Sequence, residues 1–320
     1  MRVLVTGAAG FIGFHTSRTL LERGDEVIGY DNFNPYYDPE LKEKRAALLA
    51  ELPGFQMVRG DLNDAATLDA AFDALGAGDE TRVCHLAAQA GVRYSIEHPE
   101  RYLRDNVDGF HQVLSRCQRR GVGGLIFAST SSVYGNNRSE LLSESCNTDR
   151  QASVYGMTKK ANELEASVYH SLYGLKATGL RFFTAYGPWG RPDMALFLFT
   201  DAILNDRPIK VFGQGDMRRD FTFIDDIVAG VVAALDRNLE FEILNLGRGK
   251  PEELLEFIRQ IEETLGLEAR KEMLPMQPGD VRQTHADVSR ARELLGYSPS
   301  VTIAEGIPRF VSWYRQYYRI

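Results

Sequence analysis

Apolar and polar positions alternate with two different periods along the first half of the chain. Short apolar runs bounded by turn residues indicate buried strands, and longer stretches with apolar residues three and four positions apart indicate helices between them. The predicted strands are residues 3–6, 26–30, 55–59, 83–86, 125–128 and 177–181. The predicted helices are residues 10–23, 65–75, 100–120 and 153–173. This alternation is typical of a doubly wound α/β fold with a parallel sheet.

The pattern changes after residue 181, where glycine and proline separate shorter segments. The elements predicted there are helices at residues 195–204, 224–235, 251–265, 288–295 and 303–317 and a strand at residues 242–246. Loops of this kind suit a small lobe that binds a substrate. We therefore expect a first domain at residues 1–181, to which residues 222–248 return, and a smaller C-terminal lobe over residues 182–320.

An insertion at residues 33–53 interrupts the alternation between the second and third strands. Its Asn-Pro-Tyr-Tyr-Asp-Pro opening predicts a loop, and the charged residues 39–52 predict a helix. The sequence leaves open whether this insertion closes over a site.

Composition and charge exclude several classes of protein. The 320 residues carry a net charge of -7 without a long acidic or basic block, so neither nucleic acid nor an anionic membrane is expected as a partner. The chain begins on a predicted strand, and we expect no leader and no membrane span. Three cysteines without a Cys-x-x-Cys spacing and six scattered histidines predict a reducing, cytoplasmic setting and no metal site.

A glycine-rich segment follows the first predicted strand and opens the first predicted helix. Gly7, Gly10 and Gly13 are spaced as Gly-x-x-Gly-x-x-Gly, with Phe11 and Ile12 between the last two. Glycines at such a turn let the backbone approach a pyrophosphate, and the helix N-terminus donates N–H groups to it. The segment predicts a Rossmann-type dinucleotide-binding domain in which these five residues contact the cofactor.

Acidic and small residues at the ends of the next strands extend the predicted cofactor site. Asp31 ends the second strand, where a carboxylate accepts hydrogen bonds from ribose hydroxyls and repels a 2′-phosphate. Asn32 follows it without an adjacent arginine, so NAD is favoured over NADP. The other predicted cofactor contacts end the third and fourth strands and are Asp61, Leu62, Leu86, Ala87 and Ala88.

Tyr155 and Lys159 are four residues apart on the helix predicted at residues 153–173. Side chains at this spacing share one face of a helix, so the ammonium is expected close to the phenol. A cation at roughly 4 Å in a partly buried site is worth about 4 kcal/mol, or about three pKa units. We therefore expect Lys159 to lower the pKa of Tyr155 and Tyr155 to act as a base.

Hydroxyl side chains end the fifth predicted strand. Thr130, Ser131 and Ser132 are expected at the carboxyl edge of the sheet, in the same crevice as Tyr155. A hydroxyl-rich run suits a sugar substrate, although a Ser/Thr turn that caps a sheet has the same composition.

Together these segments resemble the extended short-chain dehydrogenase/reductases that act on nucleotide sugars. Residues 182–195 are similar to those of the UDP-glucuronate 4-epimerases in that family, and the resemblance covers the whole chain. It implies that Tyr155 takes the proton of the sugar 4-hydroxyl, that Lys159 holds the nicotinamide ribose, and that Thr130 bridges the sugar oxygen and Tyr155. It also implies that hydride passes from C4 to NAD and returns to the opposite face, which converts UDP-glucuronate to UDP-galacturonate.

Members of this family differ after the threonine. Sugar 4,6-dehydratases place a carboxylic acid pair there, and UDP-glucuronate decarboxylases carry a glutamate two residues after it. Here Ser131 and Ser132 stand instead, and with Thr184 they are predicted to hold the substrate carboxylate away from the geometry that loses CO₂. Three alternatives remain, which are a 4-epimerase of neutral UDP-hexoses, a UDP-glucuronate decarboxylase and an NAD-binding protein without catalysis.

The resemblance also implies contacts to the nucleotide and a homodimer. Val211 and Phe212 resemble the segment that holds uracil, whereas Gln277 stands where many relatives have a diphosphate-binding arginine. The family commonly dimerises through the helices at residues 100–120 and 153–173. Arginine forks match phosphate oxygens, and the candidates to bind the UDP-sugar are Arg93, Arg191, Arg219 and Arg282.

Overall fold

The computed structural model describes residues 1–137, 139–277 and 280–320. Its strands are β1 Arg2–Thr6, β2 Glu26–Asp31, β3 Phe55–Arg59, β4 Thr81–His85, β5 Leu125–Thr130, β6 Ala177–Phe182, β7 Thr184–Tyr186, β8 Ile209–Phe212, β9 Arg218–Arg219, β10 Phe221–Phe223, β11 Phe241–Leu246, β12 Glu252–Glu253 and β13 Lys271–Leu274.

Seven of these strands form one parallel sheet in the order β11-β6-β5-β4-β1-β2-β3. The strand order reverses direction beside β1, so the crossovers to β2 and to β4 leave on opposite sides. Open sheets of this kind bind ligands in the crevice at the carboxyl ends of their strands, where the order reverses. The predicted doubly wound α/β fold is confirmed.

The helices cover both faces of this sheet. Their bounds are α1 Phe11–Glu22, α2 Pro39–Ala50, α3 Ala65–Leu75, α4 Tyr94–Glu97, α5 Pro99–Tyr102, α6 Gly109–Arg119, α7 Val154–Tyr173, α8 Ala195–Leu204, α9 Ile224–Arg237, α10 Leu254–Leu265, α11 Ser289–Leu295 and α12 Ile303–Tyr318. Val3 and Val5 pack into the apolar cluster on one face and Leu4 into the cluster on the other, because successive strand side chains point to opposite faces.

The helix predicted at residues 100–120 is interrupted in the structure. Between α5 and α6, residues Leu103–Asp108 form a π-helix, which widens the turn around the buried Asn106. The Asn106 side chain accepts from the Gln89 N–H at 2.8 Å and donates to the Gln89 carbonyl at 3.0 Å and to the Thr158 hydroxyl at 3.1 Å. The interruption therefore ties the loop after β4 to α7.

Three short strand pairs were not predicted and build the C-terminal lobe. They are β7 with β10, β8 with β13 and β9 with β12, each two strands only. The rings of Phe221 and Phe257 stack at 3.9 Å within this lobe. Residues 241–246 form β11, the edge strand of the central sheet beside β6, so the chain returns to that sheet after the strands and helices that follow residue 182. Within the described residues, no helix is both long and apolar enough to cross a membrane.

Candidate active site

A cleft of about 1150 Å³ lies between the carboxyl edge of the central sheet and the C-terminal lobe. Almost all of the residues proposed from the sequence as cofactor or substrate contacts line it. They are Gly7, Gly10, Phe11, Ile12, Gly13, Asp31, Asn32, Asp61, Leu62, Leu86, Ala87, Ala88, Arg93, Thr130, Ser131, Ser132, Tyr155, Lys159, Thr184, Arg191, Phe212 and Arg219.

The glycine-rich turn is packed too closely for side chains. A Cβ on Gly13 would lie 2.0 Å from the Gly7 carbonyl oxygen, and a Cβ on Gly7 would lie 2.8 Å from the Ala87 nitrogen. Gly7 also has a positive φ of 73°, which glycine adopts without strain. The turn therefore brings the N-terminus of α1 directly against the ends of β1 and β4, and residues 11–13 of its first turn line the cleft.

Asp31 is buried at the end of β2. Its carboxylate accepts hydrogen bonds from the backbone N–H groups of Ala9 at 3.1 Å and Phe33 at 2.8 Å. Burial raises the pKa of Asp31, while the nearby Lys42 ammonium and these N–H groups oppose the shift. The Asp61 carboxylate lies close by on the next strand end, where it accepts from Asn32 at 3.2 Å and pairs with Arg104 at 3.0 Å. Both carboxylates lie at the carboxyl edge of the sheet, where an adenosine ribose would bind.

Tyr155 lies in the first turn of α7, which Ser153 caps by accepting the Gly156 N–H at 3.0 Å. Lys159 follows one turn later and is 1% exposed. The Thr130 hydroxyl, at the end of β5, lines the same cleft as the Tyr155 phenol and donates to the Ser132 hydroxyl at 3.3 Å. The structure thus brings the three residues proposed as catalytic into one wall of the cleft.

The expectation that Lys159 lowers the pKa of Tyr155 stays a prediction, because Lys159 is not among the charges that act on the phenol in this structure. Burial raises the pKa of the Tyr155 phenol, and the charge that opposes this rise is that of Arg191, with a smaller contribution from Thr130. Lys159 is itself desolvated, which lowers its pKa to about 7. Burial disfavours both the phenolate of Tyr155 and the ammonium of Lys159, an effect that their helical spacing alone does not include.

Arg191 is held by an acid two residues along the same loop. Its guanidinium forms a two-pronged ion pair with Asp193, in which Nε lies 3.0 Å from Oδ1. Asp193 also accepts a hydrogen bond from the Tyr36 hydroxyl at 3.2 Å. Burial disfavours the charge on Arg191, but Asp193 raises its pKa overall, so Arg191 keeps its positive charge inside the cleft.

The hydroxyls beside Thr130 form a short turn over the end of β5. Residues Ser131–Tyr134 make one 3₁₀ turn, which Thr130 caps by accepting the Ser132 N–H at 3.2 Å. Thr184 begins β7 two residues after the end of β6, the strand that pairs with β5, and its N–H donates to the Asp220 carbonyl at 3.1 Å. The neutral hydroxyls of these residues therefore line the same cleft as Tyr155.

The far end of the cleft carries two arginines around one acid. Arg93 pairs with Asp280 at 3.1 Å and lies over the ring of Phe212 at 4.7 Å. Arg219 donates to the carbonyls of Arg218 and Arg282 and has the Asp280 charge nearby. This end has the flat ring and the cations that a nucleoside diphosphate requires.

Two residues proposed as substrate contacts do not line the cleft. Val211 is 0% exposed because β8 turns that side chain into the core while Phe212 faces the cleft. Arg282 is exposed and only its backbone carbonyl approaches the site, where it accepts from Arg218 and Arg219. Successive residues of a strand point to opposite faces, so the sequence could have shown that Val211 and Phe212 do not both line the cleft. Nothing in the local sequence pattern distinguishes Arg282 from Arg219.

Sequence reasoning missed the contribution of residues 33–53. Tyr36 and Lys42 line the cleft, and Arg45 reaches the glycine-rich turn from α2. It also missed Glu163, which accepts from Ser129 and Arg181 behind the catalytic wall. A carboxylate four residues after Lys159 on the same helix face was the available signal for Glu163.

Comparison with known proteins identifies relatives over the full chain. The profile of the NAD dependent epimerase/dehydratase family matches residues 3–247. A probable UDP-glucuronate 4-epimerase from Rhizobium meliloti is 44% identical over 100% of this chain and 98% of its own length. The crystal structure of UDP-glucuronic acid 4-epimerase from Bacillus cereus, in complex with UDP-glucuronic acid and NAD, is similar with a TM-score of 0.91 and 37% identity over 99% of this chain and 100% of that one.

A neutral-sugar enzyme is similar in fold but more distant in sequence. The UDP-glucose 4-epimerase from Thermotoga maritima, solved with UDP-glucose, has a TM-score of 0.89 and 29% identity over 99% of this chain and 100% of that one. The fold is therefore shared across these enzymes, and the residues within the cleft must distinguish their substrates.

Proposed function

The chain belongs to the NAD dependent epimerase/dehydratase family, and we propose that it interconverts UDP-glucuronate and UDP-galacturonate by NAD-dependent inversion of the sugar C4. The observation that carries this proposal is that Thr130, Tyr155 and Lys159 line one cleft. The neutral hydroxyls of Ser131, Ser132 and Thr184 line the same cleft, where the sugar would bind. The higher identity to UDP-glucuronate 4-epimerases than to the neutral-sugar enzyme supports the same substrate.

The described residues fit a bound NAD. Nζ of Lys159 is buried and has no hydrogen-bond partner among the described residues, so a ribose hydroxyl would satisfy it. The glycine-rich turn leaves no room for a Cβ and suits a pyrophosphate, and Asp31 suits the adenosine ribose hydroxyls. When bound, NAD supplies the hydride acceptor at C4 of the sugar and returns the hydride to give the inverted carbon.

The residues of this chain carry the proton and hold the sugar. Tyr155 accepts the proton of the 4-hydroxyl and later returns it to the same oxygen, while Thr130 holds that oxygen against the phenol. Arg191 places positive charge near Tyr155 and, together with the Thr130 hydroxyl, offsets part of the rise in pKa that burial causes. A sugar bound over the partly exposed Tyr155 would exclude water, so the proton would stay between the phenol and the sugar.

The substrate carboxylate requires separate control. A 4-keto sugar acid with a carboxylate at C5 loses CO₂ when that carboxylate stands perpendicular to the carbonyl. Ser131, Ser132 and Thr184 donate hydrogen bonds that fix the carboxylate in another orientation.

The substitution Thr184→Val tests this role, because it removes one hydrogen-bond donor at nearly constant side-chain volume. We expect the ratio of decarboxylated to epimerised product to rise about threefold to tenfold, measured by proton NMR, and an unchanged ratio would exclude Thr184 from this role.

We also propose a cytoplasmic homodimer. An apolar stripe follows one face of α7 at Met157, Leu164, Val168 and Leu172, where Leu164 and Leu172 are 58% and 67% exposed. A stripe of this length on a helix that also packs on α6 suits a four-helix interface with a second copy. The three cysteines are free, which agrees with a reducing compartment.

Proton NMR of purified protein incubated with UDP-glucuronate, without added NAD, tests the reaction. Appearance of UDP-galacturonate supports epimerisation with a retained cofactor. A UDP-pentose would instead identify a decarboxylase. If UDP-glucose alone were epimerised, the enzyme would belong with the neutral-sugar epimerases. Absence of turnover with either sugar, even after NAD is added, would contradict a catalytic role.

A further inference from the structure

The insertion at residues 33–53 contacts the loop that carries Arg191 at two separate points. We call residues 187–193 the substrate loop. At the first point, Arg45 of α2 is 0% exposed and donates to the Ala9 carbonyl at 2.9 Å and to the Trp189 carbonyl at 2.5 Å. Ala9 belongs to the glycine-rich turn, so one buried guanidinium joins the cofactor side of the cleft to the substrate loop.

The second contact lies at the other end of the substrate loop. The Tyr36 hydroxyl donates to the Asp193 carboxylate at 3.2 Å. The Tyr36 ring is held against the Tyr94 ring, with centroids 5.0 Å apart, and its hydroxyl would lie 2.7 Å from a Cβ on Gly91. Tyr36 is therefore fixed by the loop after β4 before it reaches Asp193.

Arg191 lies between these two contacts. The backbone of Trp189 has a positive φ of 59°, a conformation that bulky residues rarely adopt, and the bond from Arg45 to its carbonyl holds it there. At the other end of the substrate loop, the Asp193 carboxylate accepts hydrogen bonds from both Nε and Nη2 of Arg191. The position of Arg191 in the cleft thus depends on Arg45, which holds the backbone of its loop, and on Tyr36, which shares the Asp193 carboxylate with it.

We propose that residues 33–53 form a fixed brace for Arg191 rather than a lid, with Tyr36 and Arg45 as positioning residues for the reaction at the sugar ring. The brace rests on the proposed function, since it assigns Arg191 to the same reaction. The brace affects the electrostatics of the cleft, because the positive charge of Arg191 favours the ionised form of Tyr155. A substrate loop that loses its brace moves this charge away from the phenol.

Tyr36→Phe on the holoenzyme tests the brace, because it keeps the ring and removes only the hydroxyl that binds Asp193. The groups that act on the Tyr155 phenol are Arg191, the Thr130 hydroxyl and Tyr102, whose ring centroid lies 6.1 Å away, and Lys159 follows one turn later on the same helix. Only the position of Arg191 changes in this variant, so the pKa of Tyr155 should rise. We expect kcat for UDP-glucuronate near neutral pH to fall about threefold to tenfold, with the acid limb of the kcat profile displaced to higher pH.

A matched control and a double variant complete the test. Tyr297→Phe also removes one tyrosine hydrogen bond, from its hydroxyl to the Gly247 carbonyl at 3.0 Å, at a place outside the cleft. It should leave the acid limb where it is. If Tyr36 acts through Asp193, the losses in kcat from Tyr36→Phe and Asp193→Asn should be clearly less than additive when the two are combined.

The outcomes separate the brace from the proposed function. If the wild type epimerises UDP-glucuronate but Tyr36→Phe leaves the acid limb unmoved, or if the two losses are additive, the brace is wrong and the function stands. If the wild type does not act on UDP-glucuronate at all, the proposed function is wrong and the brace falls with it. A displaced limb with non-additive losses supports the brace.

Discussion

The two walls of the cleft are built in different ways. The wall from the central sheet places Thr130, Tyr155 and Lys159 on long elements whose backbone bonds are satisfied within the sheet and within α7. The opposite wall places Arg191 and Arg219 on short strands and loops that are fixed by side chains bonded to backbone carbonyls. The first wall therefore has its geometry set by secondary structure, and the second depends on a few individual side chains.

A buried ion pair strengthens the first wall from behind. Glu163, one turn after Lys159, accepts from Ser129 at 2.6 Å and from Arg181 at two positions of 2.8 Å. Burial alone would raise the pKa of Glu163, but the hydrogen bonds and charge of Arg181 lower it overall. Ser129 precedes Thr130 at the end of β5, and Arg181 is the penultimate residue of the neighbouring β6, so one carboxylate joins α7, β5 and β6. The second wall is joined instead by the brace.

The largest effect is expected in the first wall, for Tyr155→Phe. The variant loses the group that takes and returns the proton of the 4-hydroxyl, while the ring keeps its packing against Tyr102. We expect kcat to fall by about 10²- to 10⁴-fold with little change in UDP-sugar affinity, measured by turnover and by calorimetric titration. Near-normal turnover would mean that another residue of the cleft is the base.

The next largest effect is expected on stability, for Glu163→Gln. Loss of the carboxylate charge leaves the buried Arg181 without a counter-ion, and breaking such a pair costs about 3–5 kcal/mol. The free energy of unfolding in urea should fall by that amount. Lys160→Ala removes the more exposed partner of the same carboxylate, 3.2 Å away, and should cost less than about 1 kcal/mol. Equal losses in the two variants would contradict the special role of the buried pair.

Lys159 gives this wall a pH-dependent stability when NAD has been removed. Burial lowers its pKa from 10.5 to about 7, so between these values the unfolded chain binds the proton that the folded chain has lost. The contribution of Lys159 to folding therefore becomes more favourable as the pH rises through this window and is most unfavourable below it.

Lys159→Met should consequently be more stable than the wild type at pH 7 by up to a few kcal/mol in NAD-free protein, with the difference shrinking towards pH 10. Urea unfolding at several pH values measures it. A constant difference across the window would mean that Lys159 titrates normally in the fold. Added NAD should reverse the ranking, because the wild type binds the cofactor more tightly and ligand binding stabilises the native state.

The same contrast explains which features could be predicted from the sequence. The first wall follows from strand-and-helix periodicity, the glycine spacing and the Tyr155 and Lys159 pair, because each depends on neighbours close in the chain. The π-helix around Asn106 was missed since its bonds go to Gln89 and Thr158, far away in sequence. The contacts of Arg45 were missed for the same reason, because its partners lie about 36 and 144 positions away.

The smallest effect distinguishes two arginines of the second wall that look alike in the sequence. Arg219 faces the far end of the cleft beside Arg93, whereas the Arg282 side chain points into solvent and only its carbonyl approaches the site. Arg219→Ala should weaken binding of the UDP-sugar about 10- to 100-fold, because a charge-assisted bond to the diphosphate is lost. Arg282→Ala should change the affinity for the UDP-sugar less than about twofold, because the backbone carbonyl remains.

Calorimetric titration with UDP measures the affinity of both variants without depending on the sugar or on catalysis. Equal weakening by the two variants would mean that the C-terminal lobe rearranges when the nucleotide binds, so that this wall is set by the ligand rather than by its own side chains.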